Sequence, residues 1–299
     1  MGSWQVFLSI NSTLLPDVLK DVEVEFSALS EELEGARERG VLWQAAGDRF
    51  QIDVPDTARF RVECGRRITI QPAPGCTDQS LAQILRMTPL AALLYQRGLL
   101  ALHAAVVAPP PEEGGVQRAV LLAGDSGAGK SVLAAALLCQ GWSLLSDDLA
   151  ILGLGEDRTI CAWPLPGPLA LWPLSAQKLG LQAPNPAEPN ERVWIDFTTS
   201  VHNGPLPLAQ IYTLAVSNVD RVEVRPIASL ERFAVLGNLT YHSHIADALL
   251  DRKVYLNLAT QVVRSAALRR LTRPRGKWSL VEMVEKVTQE CIVRSPDKD

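Results

Sequence analysis

The chain has 299 residues, of which 47% are hydrophobic and 21% charged, with a formal net charge of −4 at pH 7. This length and apolar content argue against a disordered chain and allow one large domain or two modest ones with a substantial core. The negative net charge gives no support for nucleic-acid binding, so we expect no nucleic-acid partner.

The five cysteines stand at positions 64, 76, 139, 161 and 291, without a C-x-x-C pair. Their odd number and wide spacing argue against a disulfide framework and a zinc knuckle. The N-terminus lacks a basic region followed by a long apolar run, and no stretch approaches the roughly 18 uninterrupted apolar residues of a membrane helix. We therefore expect a soluble cytoplasmic protein with reduced thiols and no membrane partner.

Residues 1–75 are predicted to form a small β-rich N-terminal subdomain. Short segments alternate apolar and polar residues, which is typical of an antiparallel sheet with one buried face. Cys64-Gly65-Arg66 indicates a hairpin turn that joins the last two strands. The predicted strands are Trp4–Leu8, Phe50–Val54, Ala58–Val62 and Arg67–Gln71.

Residues 76–98 are predicted to be a helical connector. Between Asp78 and Leu102 the apolar residues shift to helical spacing, and Pro89 interrupts the pattern. A proline inside a helix removes a hydrogen bond and clashes with the preceding turn. We therefore expect either two helices or one kinked helix in this segment.

Residues 99–299 are predicted to form an α/β nucleotide-binding core. A strand at Leu99–Val107 leads through a proline-rich loop into a second strand at Ala119–Ala123, and Leu149–Leu152 is a candidate continuation of the strand at Trp142–Ser146. The four prolines between 164 and 173 indicate loop or edge strand. The remaining predicted elements are helix Val132–Leu138, strands Gln210–Val216 and Val222–Val224, and helices Ser229–Leu239, His242–Leu258 and Ser279–Cys291.

The most specific motif is a complete G-x-x-x-x-G-K-[ST] phosphate-binding loop between an apolar strand and an apolar helix. Its glycines let successive backbone N–H groups face the phosphates, Lys130 reaches the β/γ-phosphates, and the Ser131 hydroxyl can bind Mg²⁺. The helix that follows adds its N-terminal dipole. The motif predicts that a nucleoside polyphosphate binds at Gly124, Asp125, Ser126, Gly127, Ala128, Gly129, Lys130, Ser131 and Val132.

Asp147 and Asp148 close the next apolar strand, where a phosphate-loop protein places the carboxylate that holds Mg²⁺. Two adjacent carboxylates exceed that need. If the chain bends at the strand end, one can address the metal and the other an incoming hydroxyl. We predict Ser131 and Asp147 as metal ligands and the aspartate pair as catalytic; which aspartate is the base stays open.

Other charged residues carry weaker signals. His103, inside an apolar stretch, is more often structural than catalytic when judged from the residues alone. A basic group at Arg264, Arg269, Arg270, Arg273, Arg275 and Lys277 is either a solvated helix end or a phosphate or acidic-peptide site. Lys178 and Arg192 are further candidate cations. His202, His242 and His244 lack the spacing of a metal site and are expected to be structural or exposed.

Four short segments, Leu102–Ala104, Gly124–Ser131, Gln140–Trp142 and Ser146–Asp148, together resemble the catalytic domain of HPr kinase/phosphorylase, a bacterial P-loop serine kinase. Within that group the chain most resembles HPr-kinase-related proteins that lack the usual N-terminal domain. Some of these sit in lasso peptide clusters and phosphorylate the precursor peptide. They share Gly98–Ala104 and the Leu171-Trp172-Pro173 segment.

The resemblance implies an ATP- and Mg²⁺-dependent kinase in which Asp147, Asp148 and His103 are catalytic, with His103 orienting or charge-pairing the carboxylates. It implies a serine of a peptide or protein as the acceptor. The second signature of HPr kinase/phosphorylase, Leu-Glu-[Ile/Val]-Arg-Gly, is replaced here by Leu165–Trp172, without its Glu and Arg. We therefore expect neither phosphorolysis nor HPr itself as substrate. A nucleotide-binding module without transfer activity and a small-molecule kinase remain alternatives, and the oligomeric state stays open.

Overall fold

The computed structural model describes residues 17–111, 116–165, 167–182, 191–197 and 201–292. Within them the chain forms a mixed α/β fold with several sheets. The strand predicted at Trp4–Leu8 lies outside these residues. None of the helices in the described part of the chain has the length and apolar character needed to cross a bilayer.

The described part of the N-terminal region begins with a short 3₁₀ turn, Asp17–Leu19, and continues as a sheet of six strands. These are β1 (Glu23–Phe26), β2 (Glu38–Arg39), β3 (Trp43–Ala46), β4 (Arg49–Val54), β5 (Ala58–Glu63) and β6 (Arg67–Pro72), in the spatial order β1-β6-β5-β4-β3-β2.

The predicted pattern of strands is present in β4 to β6, whose buried and half-buried residues alternate along β5. Cys64 and Gly65 both have positive φ, 52° and 60°, as the central residues of a tight hairpin turn must. The expectation of a wholly antiparallel sheet is wrong, because β1 pairs in parallel with β6.

Two helices follow the sheet, α1 (Asp78–Leu85) and α2 (Thr88–Gln96). The Thr77 side chain caps α1 by accepting a hydrogen bond from the backbone N–H of Ser80 at 3.1 Å. Pro89 lies in the first turn of α2, where a missing N–H costs nothing. The interruption at Pro89 therefore marks the start of a second helix.

The rest of the chain carries the larger sheet and its helices. The strands are β7 (Leu100–Leu102), β8 (Ala104–Ala108), β9 (Ala119–Gly124), β10 (Ser143–Ser146), β11 (Ala150–Leu154), β12 (Ile160–Trp163), β13 (Leu169–Leu171), β14 (Val193–Ile195), β15 (Leu206–Ser217), β16 (Glu223–Pro226) and β17 (Ala267–Pro274). The helices are α3 (Lys130–Leu138), α4 (Pro173–Lys178), α5 (Ser229–Leu239), α6 (Ser243–Leu249), α7 (Arg252–Ser265) and α8 (Leu280–Ile292).

Among the described residues, nine strands form one mixed sheet with the order β10-β8-β9-β15-β12-β11-β7, and β17 lies beside both β15 and β16. β13 and β14 form a separate antiparallel pair. β9 is parallel to β15 and antiparallel to β8, which in turn is antiparallel to β10. The strand that precedes the phosphate loop is therefore central in the sheet.

Both faces of this sheet are covered. Alternate residues of β8 enter two different apolar cores: Ala104 and Val106 join the core shared with the N-terminal sheet and α2, whereas Ala105 and Val107 join the core built with α3 and α8. Because both faces are buried, the strands are continuous apolar runs instead of alternating patterns.

Three sequence predictions are corrected here. The single strand at Leu99–Val107 is two strands, and β7 lies at the opposite end of the sheet order from the β10-β8 edge. Leu149–Leu152 does not continue β10, because the chain turns at Asp148 and forms β11 beside β7. The helix at His242–Leu258 is broken, since the extended Leu250 ends α6 and Asp251 caps α7 through bonds from the N–H groups of Lys253 and Val254.

Candidate functional site

The G-x-x-x-x-G-K-[ST] segment forms a loop between β9 and α3. Gly124 has a φ of 141°, and a Cβ there would lie 2.6 Å from the carbonyl oxygen of Leu214, so only glycine fits. Gly129 begins α3 in a left-handed conformation with a φ of 108°. Lys130 folds back over the loop, and its Nζ donates to the carbonyl oxygens of Gly124 at 2.8 Å and Asp125 at 3.4 Å.

The sheet register places His103 beside this loop. Ala104 at the start of β8 pairs with Ala123 at the end of β9, so His103 lies at the edge from which the loop emerges. β10 runs antiparallel to β8 and ends at Ser146 near the same edge. Because β8 lies between β9 and β10, His103 stands between the loop and the aspartate pair.

Asp147 and Asp148 form a tight turn at the end of β10. Asp148 has a φ of 63°, a left-handed conformation that non-glycine residues rarely adopt, and the N–H of Leu149 donates to the carbonyl oxygen of Asp147 at 2.8 Å. The chain bends here, so the two neighbouring carboxylates do not continue an extended strand. Backbone strain of this kind is concentrated at functional sites.

A hydrogen bond joins this turn to the loop. The Ser131 hydroxyl donates to Oδ1 of Asp147 at 3.2 Å. Burial raises the pKa of the Asp147 carboxyl, and the negative charge of Asp148 raises it further; the bond from Ser131 and the charge of Lys130 act in the opposite direction. Asp147 is thus a half-buried carboxylate whose charged form is stabilised by any cation placed beside it.

The pKa values of Lys130 and His103 are both lowered by burial and both raised by Asp148. Burial lowers the pKa of the Lys130 ammonium, while Asp148 and Asp147 raise it. Burial also lowers the pKa of His103, helped by the positive charge of Lys130 and opposed by Asp148. We therefore treat His103 as neutral at pH 7, able to accept or donate one hydrogen bond at each ring nitrogen.

Arg86 and Tyr241 also line the site, although no sequence motif indicates either of them. Arg86 ends α1, and its Nη2 donates to the carbonyl oxygen of Leu165 at 3.4 Å. Burial lowers its pKa to about 10, and the charges of Asp147 and Asp148 oppose that shift. Arg86 therefore remains positively charged at neutral pH and faces both carboxylates.

Tyr241 reaches the site from the segment between α5 and α6. Its N–H donates to the carbonyl oxygen of Ala101 at 2.9 Å, and its ring centroid lies 6.1 Å from that of His103. Burial raises the pKa of its hydroxyl to about 12, with a further contribution from Asp148. No local motif surrounds Arg86 or Tyr241, so only the packing of distant segments brings them here.

The predicted basic group is divided by the fold. Half of it, Arg269, Arg270 and Arg273, belongs to β17, a strand that the sequence pattern does not predict. Arg269 pairs with Glu290 and Arg270 with Glu231, so neither faces the loop. Arg273 donates from Nε to the carbonyl oxygen of Ala128 at 3.3 Å. Of this group, Arg273 and Lys277 line the candidate site.

The two weaker candidate cations differ in position. Arg192 lines the site and stands over the ring of Trp172, at 5.5 Å from its centroid. Lys178 stands over the ring of Trp278, at 4.4 Å. Among the other histidines, His202 bonds Gly204 through Nδ1 at 2.9 Å. His242 is exposed beside Tyr241, and His244 is exposed beside His242.

The phosphate loop and the aspartate pair open onto one cleft of about 1000 Å³. Its walls include the predicted residues from Ser126 to Val132, together with His103, Asp147 and Asp148; Gly124 and Asp125 contribute through their bonds to Lys130. The structure therefore brings the predicted candidates together at a single concave site, with Arg86, Arg192 and Tyr241 on its walls.

No family model matches this chain, and no curated protein matches it. Among solved structures, the chain is similar to the Hpr(Ser) kinase/phosphatase from Coxiella burnetii, with 13% sequence identity and a TM-score of 0.33. The match covers 64% of this chain and 91% of that chain. The likeness is distant.

Proposed function

We propose that this protein is a kinase that transfers the γ-phosphate of ATP to a serine hydroxyl of a peptide or protein. The observation that carries the proposal is the bond from Ser131 to Asp147, which joins a phosphate-binding loop to a pair of carboxylates whose second member, Asp148, has a left-handed backbone. Binding a nucleotide needs the loop, but it does not need a second carboxylate in a left-handed turn beside a histidine and an arginine.

The donor atoms present suit Mg²⁺. Hydroxyl and carboxylate oxygens are its preferred ligands, and Ser131 and Asp147 supply one of each, 3.2 Å apart. The described residues contain no cluster of three or more His, Cys, Asp or Glu side chains suited to a metal. Mg²⁺ needs none, because one or two carboxylates and the substrate phosphates suffice. When bound, Mg²⁺ supplies positive charge that offsets the charge of the phosphates.

The two aspartates take different roles in this proposal. Asp147, which accepts the hydrogen bond from Ser131, would be a ligand of Mg²⁺. Asp148 interacts electrostatically with His103, Lys130, Arg86 and Tyr241 and is the general base. It takes the proton of the acceptor hydroxyl as the new O–P bond forms, the bond between the β–γ bridging oxygen and the γ-phosphorus breaks, and ADP leaves.

The cations around the cleft stabilise the transferred group. Lys130 lies at the loop, Arg192 on one wall and Arg86 beside the carboxylates. Positive charge therefore surrounds the place where the γ-phosphoryl group is transferred. Preorganised charges of this kind contribute most of the stabilisation in phosphoryl transfer. In this proposal His103, which interacts electrostatically with Asp148, orients the carboxylate pair.

The experiment is a transfer assay with γ-labelled ATP and Mg²⁺ in a lysate of the source organism, comparing wild type with Asp148→Asn. We expect label on one peptide or small protein with the wild type alone. Nucleotide binding without any label would overturn the transfer proposal in favour of a binding module. Label on a small molecule would replace the peptide acceptor while keeping the kinase.

A further inference from the structure

The segment from Arg273 to Ser279 joins β17 to α8 and runs along the cleft on the Ala128 side of the loop. The bond from Arg273 Nε to the Ala128 carbonyl oxygen fixes one end of the segment to the loop backbone. Lys277, Trp278 and Ser279 line the same cleft. This segment therefore forms one wall of the cleft, and its residues Lys277, Trp278 and Ser279 have no role in the proposed transfer step.

The loop geometry determines which part of a nucleotide meets this wall. Lys130 addresses the terminal phosphates, and the aspartate pair lies on that side. The α-phosphate follows the loop to the first turn of α3, where Val132 lines the cleft. α3 packs against α8, so a nucleoside that extends past the first turn of α3 would meet Leu280 and Met283, which also line the cleft.

The side chains on this wall have the chemistry of a nucleobase site. Trp278 is 48% exposed although it is a large aromatic residue, and the ammonium of Lys178 stands 4.4 Å from its ring centroid. A cation over one face of the indole holds its orientation and leaves the other face available for stacking. Apolar walls and an aromatic platform with few polar groups are typical of cofactor sites.

Ser279 adds one polar group. Its Oγ is buried and has no hydrogen-bond partner among the described residues. It does not cap α8 with its side chain; the backbone carbonyl of Ser279 instead accepts the N–H of Met283 at 3.0 Å. A buried hydroxyl without a partner is unfavourable unless a ligand completes its bonding.

We propose that Trp278, Ser279, Val132 and Met283 form a purine-base subsite, with the base stacked on Trp278 and one polar atom of the nucleoside bonded to Ser279. This inference rests on the proposed function, since it concerns the nucleotide held by the loop. Trp172 and Trp194 also line the cleft. They belong to the β13–β14 region, however, whereas the Trp278 segment is bonded directly to the loop.

The test measures the affinities of ATP and inorganic tripolyphosphate by calorimetry with full-length protein. Tripolyphosphate has the phosphates without the base, so it reports on the loop alone. Trp278→Leu is expected to weaken ATP about 5- to 100-fold, the range that base–aromatic stacking supplies, and to leave tripolyphosphate within about twofold. Ser279→Ala is expected to weaken ATP about 2- to 10-fold.

Matched variants complete the design. Trp278→Phe keeps an aromatic face and should retain most of the ATP affinity, which also shows that the position tolerates substitution. Trp172→Leu and Trp194→Leu test the other two tryptophans of the cleft and should weaken ATP binding less than Trp278→Leu does. A loss confined to either of these controls, an unchanged ATP affinity in Trp278→Leu, or equal losses for ATP and tripolyphosphate would overturn the subsite. Wild-type protein that binds neither ligand would overturn nucleotide binding itself.

Discussion

The hydroxyl of Ser131 donates a hydrogen bond to Oδ1 of Asp147 across 3.2 Å. These residues belong to different elements, and the bond connects the first turn of α3 with the turn after β10. A metal ligand pair in a phosphate-loop protein has this composition. The central claim, phosphoryl transfer at this junction, leads to the following predictions.

Lys130→Ala should weaken ATP binding at least about tenfold, because its ammonium is the cation nearest the loop and makes charge-assisted bonds to phosphate. Calorimetric titration with Mg²⁺-ATP measures the effect. Lys253→Ala, on the exposed start of α7, is the matched control and should bind like the wild type. Equal affinities in wild type and Lys130→Ala would show that the loop does not hold the phosphates.

Asp148→Asn should keep ATP binding and lower the transfer rate by roughly 10²- to 10⁴-fold, because asparagine cannot take the proton of the substrate hydroxyl. Asparagine also tolerates the left-handed backbone at this position, so the turn is preserved. Single-turnover rates with labelled ATP measure the effect. Asp247→Asn on α6 serves as control, and a wild-type rate in Asp148→Asn would remove the base assignment.

Asp147→Asn should stabilise the metal-free protein near neutral pH while it abolishes transfer. The folded protein raises the pKa of Asp147, so the folded state binds the proton more tightly than the unfolded chain does. Its contribution to stability is therefore largest at acid pH and is lost as the pH rises toward neutrality. A neutral asparagine avoids that loss and can still accept the bond from Ser131.

Thermal unfolding with EDTA checks this sign. The advantage of Asp147→Asn over wild type should be clear at pH 8 and shrink at pH 4.5. Added Mg²⁺-ATP should raise the wild-type Tm more than that of the variant, because the carboxylate is then compensated. A variant that is less stable than wild type at pH 8 without metal would contradict the account.

Arg86→Gln should lower transfer about 10- to 100-fold with little change in ATP affinity, because the guanidinium faces the carboxylates. Gly167 offers a second way to disturb it, since a Cβ at that residue would lie 2.4 Å from Arg86 Nη2. Gly167→Ala should reduce transfer less than Arg86→Gln does. In the Arg86→Gln background it should add almost nothing, and additive losses would show that Gly167 acts elsewhere.

Asp251→Ala should destabilise the protein by about 1 kcal/mol, because the side chain accepts the N–H groups of Lys253 and Val254 at the start of α7. Asp251→Asn can accept the same bonds and should be nearly neutral. Urea unfolding midpoints compare the two variants. Equal losses in both would mean that the carboxylate charge, and not the cap, supplies the stability.

The features that could be predicted from the sequence are those that neighbouring residues determine. The loop from Gly124 to Ser131 and the hairpin turn at Cys64 and Gly65 depend on backbone conformations that their own residues favour. Asp147 and Asp148 are predicted as site residues because they follow an apolar strand after the phosphate loop, and their catalytic roles stay a prediction. The division of the chain at 75/76 and 98/99 stays a prediction.

Long-range pairing determines what the sequence could not predict. The break at His103 arises because β7 and β8 pair with different strands, although Leu99–Val107 is uniformly apolar. β17 could not be recognised as a strand from its sequence, because its arginines pair with acidic residues on α5 and α8, far away in the chain. Arg86 and Tyr241 reach the cleft from elements that no motif connects to the loop.

The most direct measurement is mass spectrometry of the acceptor after a reaction of purified protein, Mg²⁺-ATP and the peptide labelled in lysate. The account predicts one phosphoserine, formed in equal amount to ADP by wild type and not detectably by Asp148→Asn in the same time. ADP formation with free phosphate and an unmodified peptide, or equal phosphoserine from both proteins, would contradict transfer by this site.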